Sequence, residues 1–270
     1  MKLNDVRKSL KTEFENNNID SIDADFIIAE VLNVSHTELN LIDEISDSQF
    51  QSIQDFAKER LQGKPIDKIF KKKYFYGLEF VVDENVLTPR SDSEILVEKA
   101  LKIIKENNLK SVLDLCTGSG CLAIAVKKNA NVDVTASDIS TKALKIAKLN
   151  AKNLQAEINV IHSDMFDKIE NKFDLIISNP PYIASDDIDE LDLEVKDHDP
   201  RIALDGGELG LKFYNIIHNN AKKHLNENGY LILEIGDEQK YLVTSLFTDF
   251  NFIECVKDYG GNDRVLVFKN

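Results

Sequence analysis

Positive charge is scarce in this chain: 33 Lys and Arg stand against 47 Asp and Glu, a net charge of −14 over 270 residues. Proteins that draw their affinity from neutralising phosphates need clustered Lys and Arg, so direct binding of bulk DNA or RNA is not expected. The compact basic run Lys71-Lys72-Lys73 reads either as a local patch or as a solvated face. Long hydrophobic runs are also missing, and nothing approaches the roughly 20 apolar residues of a membrane span. The start, Met1-Lys2-Leu3-Asn4-Asp5, lacks the apolar centre of a secretory signal, so a cytoplasmic protein without membrane association is expected. Cysteine is sparse. Cys116, Cys121 and Cys255 form neither a C-x-x-C pair nor a metal-spaced cluster, which argues against a disulfide framework or a zinc site and for reduced thiols. His36, His162, His198, His218 and His224 lack ligand spacing, so structural roles and no metal are expected. No internal repeat or low-complexity tract occurs.

What is present is enough for a sizeable core, with 43% of residues hydrophobic. The length exceeds a typical domain of roughly 100–150 residues, which implies two unequal domains or an extended one. The first segment reads as helical. Over Ser21–Asn33 the apolar residues Ile22, Phe26, Ala29 and Leu32 recur at helical steps and predict one buried face. Ser46-Asp47-Ser48-Gln49 has the form of a capping box ahead of the stripe Phe50, Ile53, Phe56 and Leu61. A helical domain over residues 1–73 follows, suited to packing alone or to docking a macromolecular substrate.

Aromatic and β-branched residues around Gly77 predict a hairpin, Tyr74–Tyr76 against Phe80–Val82, within a structured linker at 74–88. Residues 89–270 alternate strand-like runs with helical stretches. The runs are Ser111–Leu115, Val132–Ser137, Ile158–His162, Phe173–Ser178, Tyr230–Ile235, Phe252–Lys257 and Arg264–Phe268. Such alternation implies right-handed βαβ units in a mostly parallel sheet covered on both faces, an α/β Rossmann-like architecture. Only a short Gly260-Gly261 turn separates the last two runs. No crossover helix fits there, so the last strand is expected to run antiparallel.

Two motifs carry chemistry. After the first strand of the large domain comes Asp114-Leu115-Cys116-Thr117-Gly118-Ser119-Gly120-Cys121-Leu122-Ala123. Its small residues let a backbone turn sharply and approach a nucleotide. Asp138 closes the next strand-like run, where a carboxylate accepts hydrogen bonds from both ribose hydroxyls. An adenosine-containing ligand is indicated. S-adenosylmethionine suits the acidic surroundings, Asp114 among them, better than a dinucleotide, whose pyrophosphate seeks a helix N-terminus. Ser163-Asp164-Met165-Phe166 is placed to line the adenine pocket.

The second motif, Asn179-Pro180-Pro181-Tyr182, follows the apolar run Phe173–Ser178. Proline has no N–H, so this strand end presents acceptors. The Asn179 side-chain oxygen and the Pro180 carbonyl are each able to accept one N–H of a planar amino group, while Tyr182 offers a stacking face. Ligand and substrate meet at the carboxyl ends of central strands. Methyl transfer to nitrogen is the expected chemistry.

With these motifs the chain resembles the HemK/PrmC-type protein-(glutamine-N5) methyltransferases over nearly its whole length. The resemblance also rests on Arg60…Gly63-Lys64-Pro65-Ile66, Phe75-Tyr76-Gly77 and Val86-Leu87-Thr88-Pro89-Arg90-Ser91-Asp92-Ser93-Glu94. Later markers are Ala203-Leu204-Asp205-Gly206-Gly207, Leu233-Glu234-Ile235-Gly236 and Asp258…Gly260-Gly261-Asn262-Asp263-Arg264. It implies a class I S-adenosylmethionine-dependent methyltransferase fold: a seven-stranded, mostly parallel sheet with its last strand antiparallel, beside a small N-terminal helical domain. It implies methylation of the glutamine of the Gly-Gly-Gln motif in peptide chain release factors, a modification that modulates translation termination. Cys116, Thr117, Gly118, Ser119, Gly120, Asp138, Met165 and Asn179 would contact the cofactor. Asn179, Pro180, Pro181 and Tyr182 would hold the glutamine, in a protein expected to act as a monomer.

The chain departs from that family at Lys68, Lys71, Ser93 (where threonine is usual) and Glu208-Leu209-Gly210, all expected to lie outside the cofactor loop and the amide clamp. Pro89-Arg90 and Glu94 read as supporting residues or as helix capping and packing. The acidic tract Asp186–Asp199 reads as a solvated loop or as an attractor for a basic partner surface. An adenine amino group would fit the same clamp, but base flipping needs a basic groove that this composition does not supply.

Overall fold

The computed structural model describes all 270 residues as two compact units. The first comprises Met1–Lys71 together with Leu193–His198. Helix α1 (Leu3–Asn16) buries Leu3, Val6, Leu10 and Phe14, spaced by three or four positions so that they share one face. Helix α2 (Ile22–Leu32) forms where the periodicity predicts it but turns a different face inward. Ala24, Ile27, Ile28 and Ala29 are buried, while Ile22 and Phe26 are 47% and 41% exposed. The helix carries two overlapping apolar stripes, and electrostatics decides between them. Asp25 is nearly buried beside the chosen stripe, where it accepts from Arg7 at 2.6 Å and Lys11 at 2.8 Å, both on α1.

Helix α3 (Asp47–Leu61) opens with the predicted capping box: the Ser46 hydroxyl accepts from Gln49 N–H, and the Gln49 side chain accepts from Ser46 N–H. Helix α4 (Ile66–Phe70) closes this stretch. Arg60, 6% exposed, donates to Asp23 at 2.7 Å and to Glu194, which lies on the one-turn helix α8 (Leu193–Lys196).

The second unit comprises Lys72–Asp192 and Asp199–Asn270. It begins with an antiparallel hairpin, β1 (Lys72–Phe75) and β2 (Leu78–Val81), joined by Tyr76-Gly77. The Tyr76 N–H donates to the Glu94 carboxylate at 2.7 Å, fastening the hairpin to α5 (Glu94–Asn107). Buried Asn150, on α7 (Thr141–Asn153), accepts from Val81 N–H at 2.7 Å and donates to the Val81 and Ser119 carbonyls. One side chain thus holds β2 and the glycine loop in fixed positions.

Seven strands make the main sheet: β3 (Ser111–Leu115), β4 (Asp133–Asp138), β5 (Asn159–His162), β6 (Phe173–Ser178), β7 (Leu225–Glu234), β8 (Asn251–Lys257) and β9 (Asp263–Lys269). Their order is β5-β4-β3-β6-β7-β9-β8, with β9 antiparallel to both neighbours and every other pairing parallel. This is the expected class I methyltransferase sheet. Alternate residues feed two cores. Val112, Leu175 and Ile177 pack with α5 and α6 (Cys121–Asn129), and Leu113, Leu115 and Ile176 with α9 (Lys212–His224) and α10 (Lys240–Leu246).

Strand β7 starts five positions before the expected Tyr230. Its polar opening reads as a loop, yet Asn226 donates to Asp174 at 2.7 Å and Asn270 N–H donates to the Gly229 carbonyl. No helix is long and apolar enough to cross a membrane.

Candidate active site

The carboxyl ends of β3, β4 and β6 converge on a cavity of about 230 Å3 whose walls include Cys116, Gly118, Asp138, Ser163, Asp164, Met165, Asn179 and Pro181. A smaller cavity of about 40 Å3 adjoins Thr117, Ser119 and Asn179 on one side and Pro89, Arg90 and Ser93 on the other. Most of the predicted site residues therefore meet at one sheet end, whereas Gly120, Pro180 and Tyr182 line neither cavity. Tyr182 packs on the core beside α9, and burial pushes its hydroxyl up to about 12.

The glycine loop is shaped by its own backbone. Gly120 caps α6 at φ +82°, a conformation costly for other residues. Cys116 and Met165 sit at φ +60° and +45° without that freedom. Both line the cavity, and backbone strain of about 1–3 kcal/mol per residue is characteristic of functional sites. Burial pushes the Cys116 and Cys121 thiols up, so neither is a thiolate nucleophile.

Two carboxylates anchor the loop. Asp138 accepts from Gly118 N–H at 2.9 Å and Ser140 N–H at 2.8 Å; burial nevertheless raises its affinity for a proton. Asp114 is fully buried, accepting from the Thr117 hydroxyl at 2.6 Å and Ala123 N–H at 3.2 Å through one oxygen. Its other oxygen has no partner, and burial pushes the group up to about 7. A buried acceptor left unsatisfied costs stability. The Asp138 carboxylate and the Met165 and Ile139 walls of the larger cavity fit an adenosyl group, while Asp114 lines neither cavity.

The clamp motif is braced from behind, in part by Leu204, Gly206 and Gly236, which stand out in the sequence only as family markers. A side chain on Gly206 would lie 2.8 Å from the Pro181 carbonyl oxygen, and one on Gly236 would lie 3.1 Å from the Tyr182 ring. Ile183 N–H donates to Leu204 O, and Gly206 N–H donates to Ile183 O. The Gln239 amide donates to the Tyr182 carbonyl at 2.9 Å.

Ser93 is a further correction. Far from lying outside the clamp, its hydroxyl accepts from the Asn179 side-chain amide at 3.2 Å. The Leu-Glu-Ile-Gly marker puts Glu234 beside it, 1% exposed at the end of β7. Only the marker status of these residues draws attention to them in the sequence.

Arg90 reaches Asp199 at 3.6 Å, and Asp199 also accepts from Thr88 N–H. The acidic tract is thus divided: Asp199 belongs to the larger unit, Glu194 to the helical one, and Asp186, Asp187, Glu190 and Asp192 are exposed.

Residues 5–70 match the family described as PrmC N-terminal domain, and residues 91–211 match Methyltransferase small domain. A release factor glutamine methyltransferase of Agrobacterium fabrum is 39% identical, covering 92% of this chain and 90% of its own length. That of Thermodesulfovibrio yellowstonii is 41% identical, covering 92% and 91%. Among solved structures, the T. thermophilus 16S rRNA N2 G1207 methyltransferase in complex with AdoMet and guanosine aligns with a TM-score of 0.51 at 17% identity. That alignment covers 74% of this chain and 49% of the other and speaks to the fold.

Proposed function

Because this chain belongs to the release factor glutamine methyltransferase family, we propose that it methylates the side-chain amide nitrogen of the glutamine in the Gly-Gly-Gln motif of peptide chain release factors. The observation that carries this reading is Asn179, which lines both the cofactor-sized cavity and the smaller one beside it. S-adenosylmethionine supplies an electrophilic sulfonium methyl when bound. Asp138, on the wall of the larger cavity, would accept from the ribose hydroxyls.

Asn179 performs the orienting step. A carboxamide nitrogen is a poor nucleophile because its lone pair is delocalised. Its two hydrogens need acceptors, and Asn179 Oδ1 with the Pro180 carbonyl supply them without a competing N–H from either proline. Bonds to both hydrogens aim the lone pair outward. Alignment of this kind is worth up to roughly 7–11 kcal/mol in well-matched cases, so no strong base is required. The proton released on methylation passes to Asn179, the backbone or water.

Asn179→Ala is expected to abolish methyl transfer while weakening binding of S-adenosylhomocysteine only modestly. A labelled-methyl assay offering recombinant release factor, DNA and RNA side by side, with mass-spectrometric mapping of the product, checks this. Undiminished turnover in the variant, or preferential labelling of nucleic acid, would defeat the proposal.

A further inference from the structure

Asn150 is 1% exposed on α7, where an asparagine costs helix stability relative to alanine. Its side-chain amide is nevertheless fully engaged. Oδ1 accepts from Val81 N–H at 2.7 Å, and Nδ2 donates to the Val81 carbonyl at 3.0 Å and to the Ser119 carbonyl at 2.9 Å. All three partners are backbone groups with one possible role each, so the amide has a single orientation. It grips one residue of β2 through both N–H and C=O, as a neighbouring strand would. Its remaining hydrogen holds the glycine loop.

Both gripped segments lead into walls of the site. On one side Gly118 lines both cavities and Ser119 the smaller one. On the other, the chain leaving β2 supplies Asn85 and Val86 to the larger cavity, Leu87 to both and Arg90 to the smaller. The face of α7 that carries Asn150 also carries Ala147 and Ala143, three and seven positions earlier. A side chain on Gly120 would come within 3.2 Å of the Ala147 Cβ, and Ala143 packs with Val82 and Val86. One helix face therefore seats both walls, and Asn150 is the polar tie between them.

We propose that Asn150 is a positioning residue that fixes the glycine loop against the strip leaving β2, so that seating the cofactor on the loop also sets the wall beside which the substrate amide is received. The hairpin is then part of the active site rather than a linker. The substrate half of this statement rests on the proposed function; the cofactor half does not. Neither Val81 nor Asn150 lines a cavity, so a bound cofactor reaches the hairpin only through its neighbours.

The test combines hydrogen exchange at the β1 and β2 amides, with and without S-adenosylhomocysteine, with calorimetric affinity for that ligand and kcat on recombinant release factor. In the wild type the ligand is expected to slow hairpin exchange about fivefold, by suppressing local opening. Asn150→Leu, similar in size but without polar atoms, should abolish that slowing. It should also weaken S-adenosylhomocysteine about tenfold, the size of one hydrogen bond, and lower kcat at saturating substrates about 100-fold through misplacement of the walls. Val132→Ala removes buried side-chain volume next to the amino end of β4, opposite the site, and controls for stability alone. It should melt lower yet keep its kcat, its ligand affinity and the ligand-dependent slowing. Should Asn150→Leu not fold, Asn150→Ala takes its place, and the wild-type exchange needs no variant.

Unchanged hairpin exchange in the wild type on ligand binding overturns the tie. So does slowing that persists in the Asn150 variant, or a variant that loses no more kcat and affinity than Val132→Ala. Each of these leaves methylation of the release factor standing. A wild type that shows the slowing but labels no release factor overturns the functional reading and leaves the tie between loop and hairpin in place.

Discussion

A side chain on Gly210 would place its Cβ 2.0 Å from the Tyr182 carbonyl oxygen, and Gly210 itself sits at φ +68°. Both facts forbid substitution, so Gly210→Ala must displace the backbone that carries the clamp. A displacement near 1 Å is expected to cost about 100-fold in kcat, with S-adenosylhomocysteine affinity measured by calorimetry nearly unchanged. A variant with wild-type kcat would show that the loop is not a rigid support. Gly210 marks the boundary of what sequence reveals at this scale. Cys116 to Gly120, Asp138 and Asn179 are legible because a glycine loop and a strand end carry their chemistry within a few consecutive residues. Ser93 and Asn179 meet across 86 positions, and no local pattern announces that a serine will receive an amide proton. A buried carboxyl such as Glu234 reads in sequence as one more charged residue in a strongly acidic chain.

Among the elements, α2 shows why the existence of a helix is easier to read than its orientation. Its run of apolar residues satisfies helical periodicity along either of two stripes, and the choice is made by a partner outside the window. Arg7 and Lys11 on α1 require a carboxylate opposite them, so Asp25 is drawn in and Ile27 and Ile28 follow. Removal of the buried Ile28 side chain, Ile28→Ala, is expected to cost about 2–5 kcal/mol. Phe26→Ala should cost clearly less, because the ring is 41% exposed and meets mainly the edge of His36. Denaturant midpoints of the two variants check this, and a larger loss for Phe26→Ala would restore the stripe expected from sequence. The strands are more readable than this helix. In β3, β4, β6, β7 and β9 the apolar runs are buried on both faces, which removes the choice of face, and β7 reads short because backbone pairing at its polar start needs no apolar side chain.

For the whole molecule, two buried carboxyl groups make stability depend on pH. Burial pushes Glu234 and Asp114 up to about 7, from ordinary values of 4.5 and 3.8. Their folded values lie above their unfolded ones. Between about pH 4 and 7 the folded chain therefore holds protons that the unfolded chain releases, and stability falls as pH rises through that window before levelling off. At about 1.4 kcal/mol per unit, each group costs on the order of 3 kcal/mol at pH 8 relative to its protonated form. Carboxylates whose affinity for protons is lowered, such as Asp25 and Asp174, act in the other direction but only below their unfolded value of 3.8. They leave the interval from pH 6 to 8 to the buried pair, to Asp138, which burial also raises, and to the relief of a net charge of −14. The cofactor-free protein should accordingly melt higher at pH 6 than at pH 8, by roughly 5 °C. Glu234→Gln should narrow that gap by about half, since Asp114 still titrates. Calorimetry of both proteins at the two pH values measures it, and an unchanged gap in Glu234→Gln would show that Glu234 keeps its charge throughout.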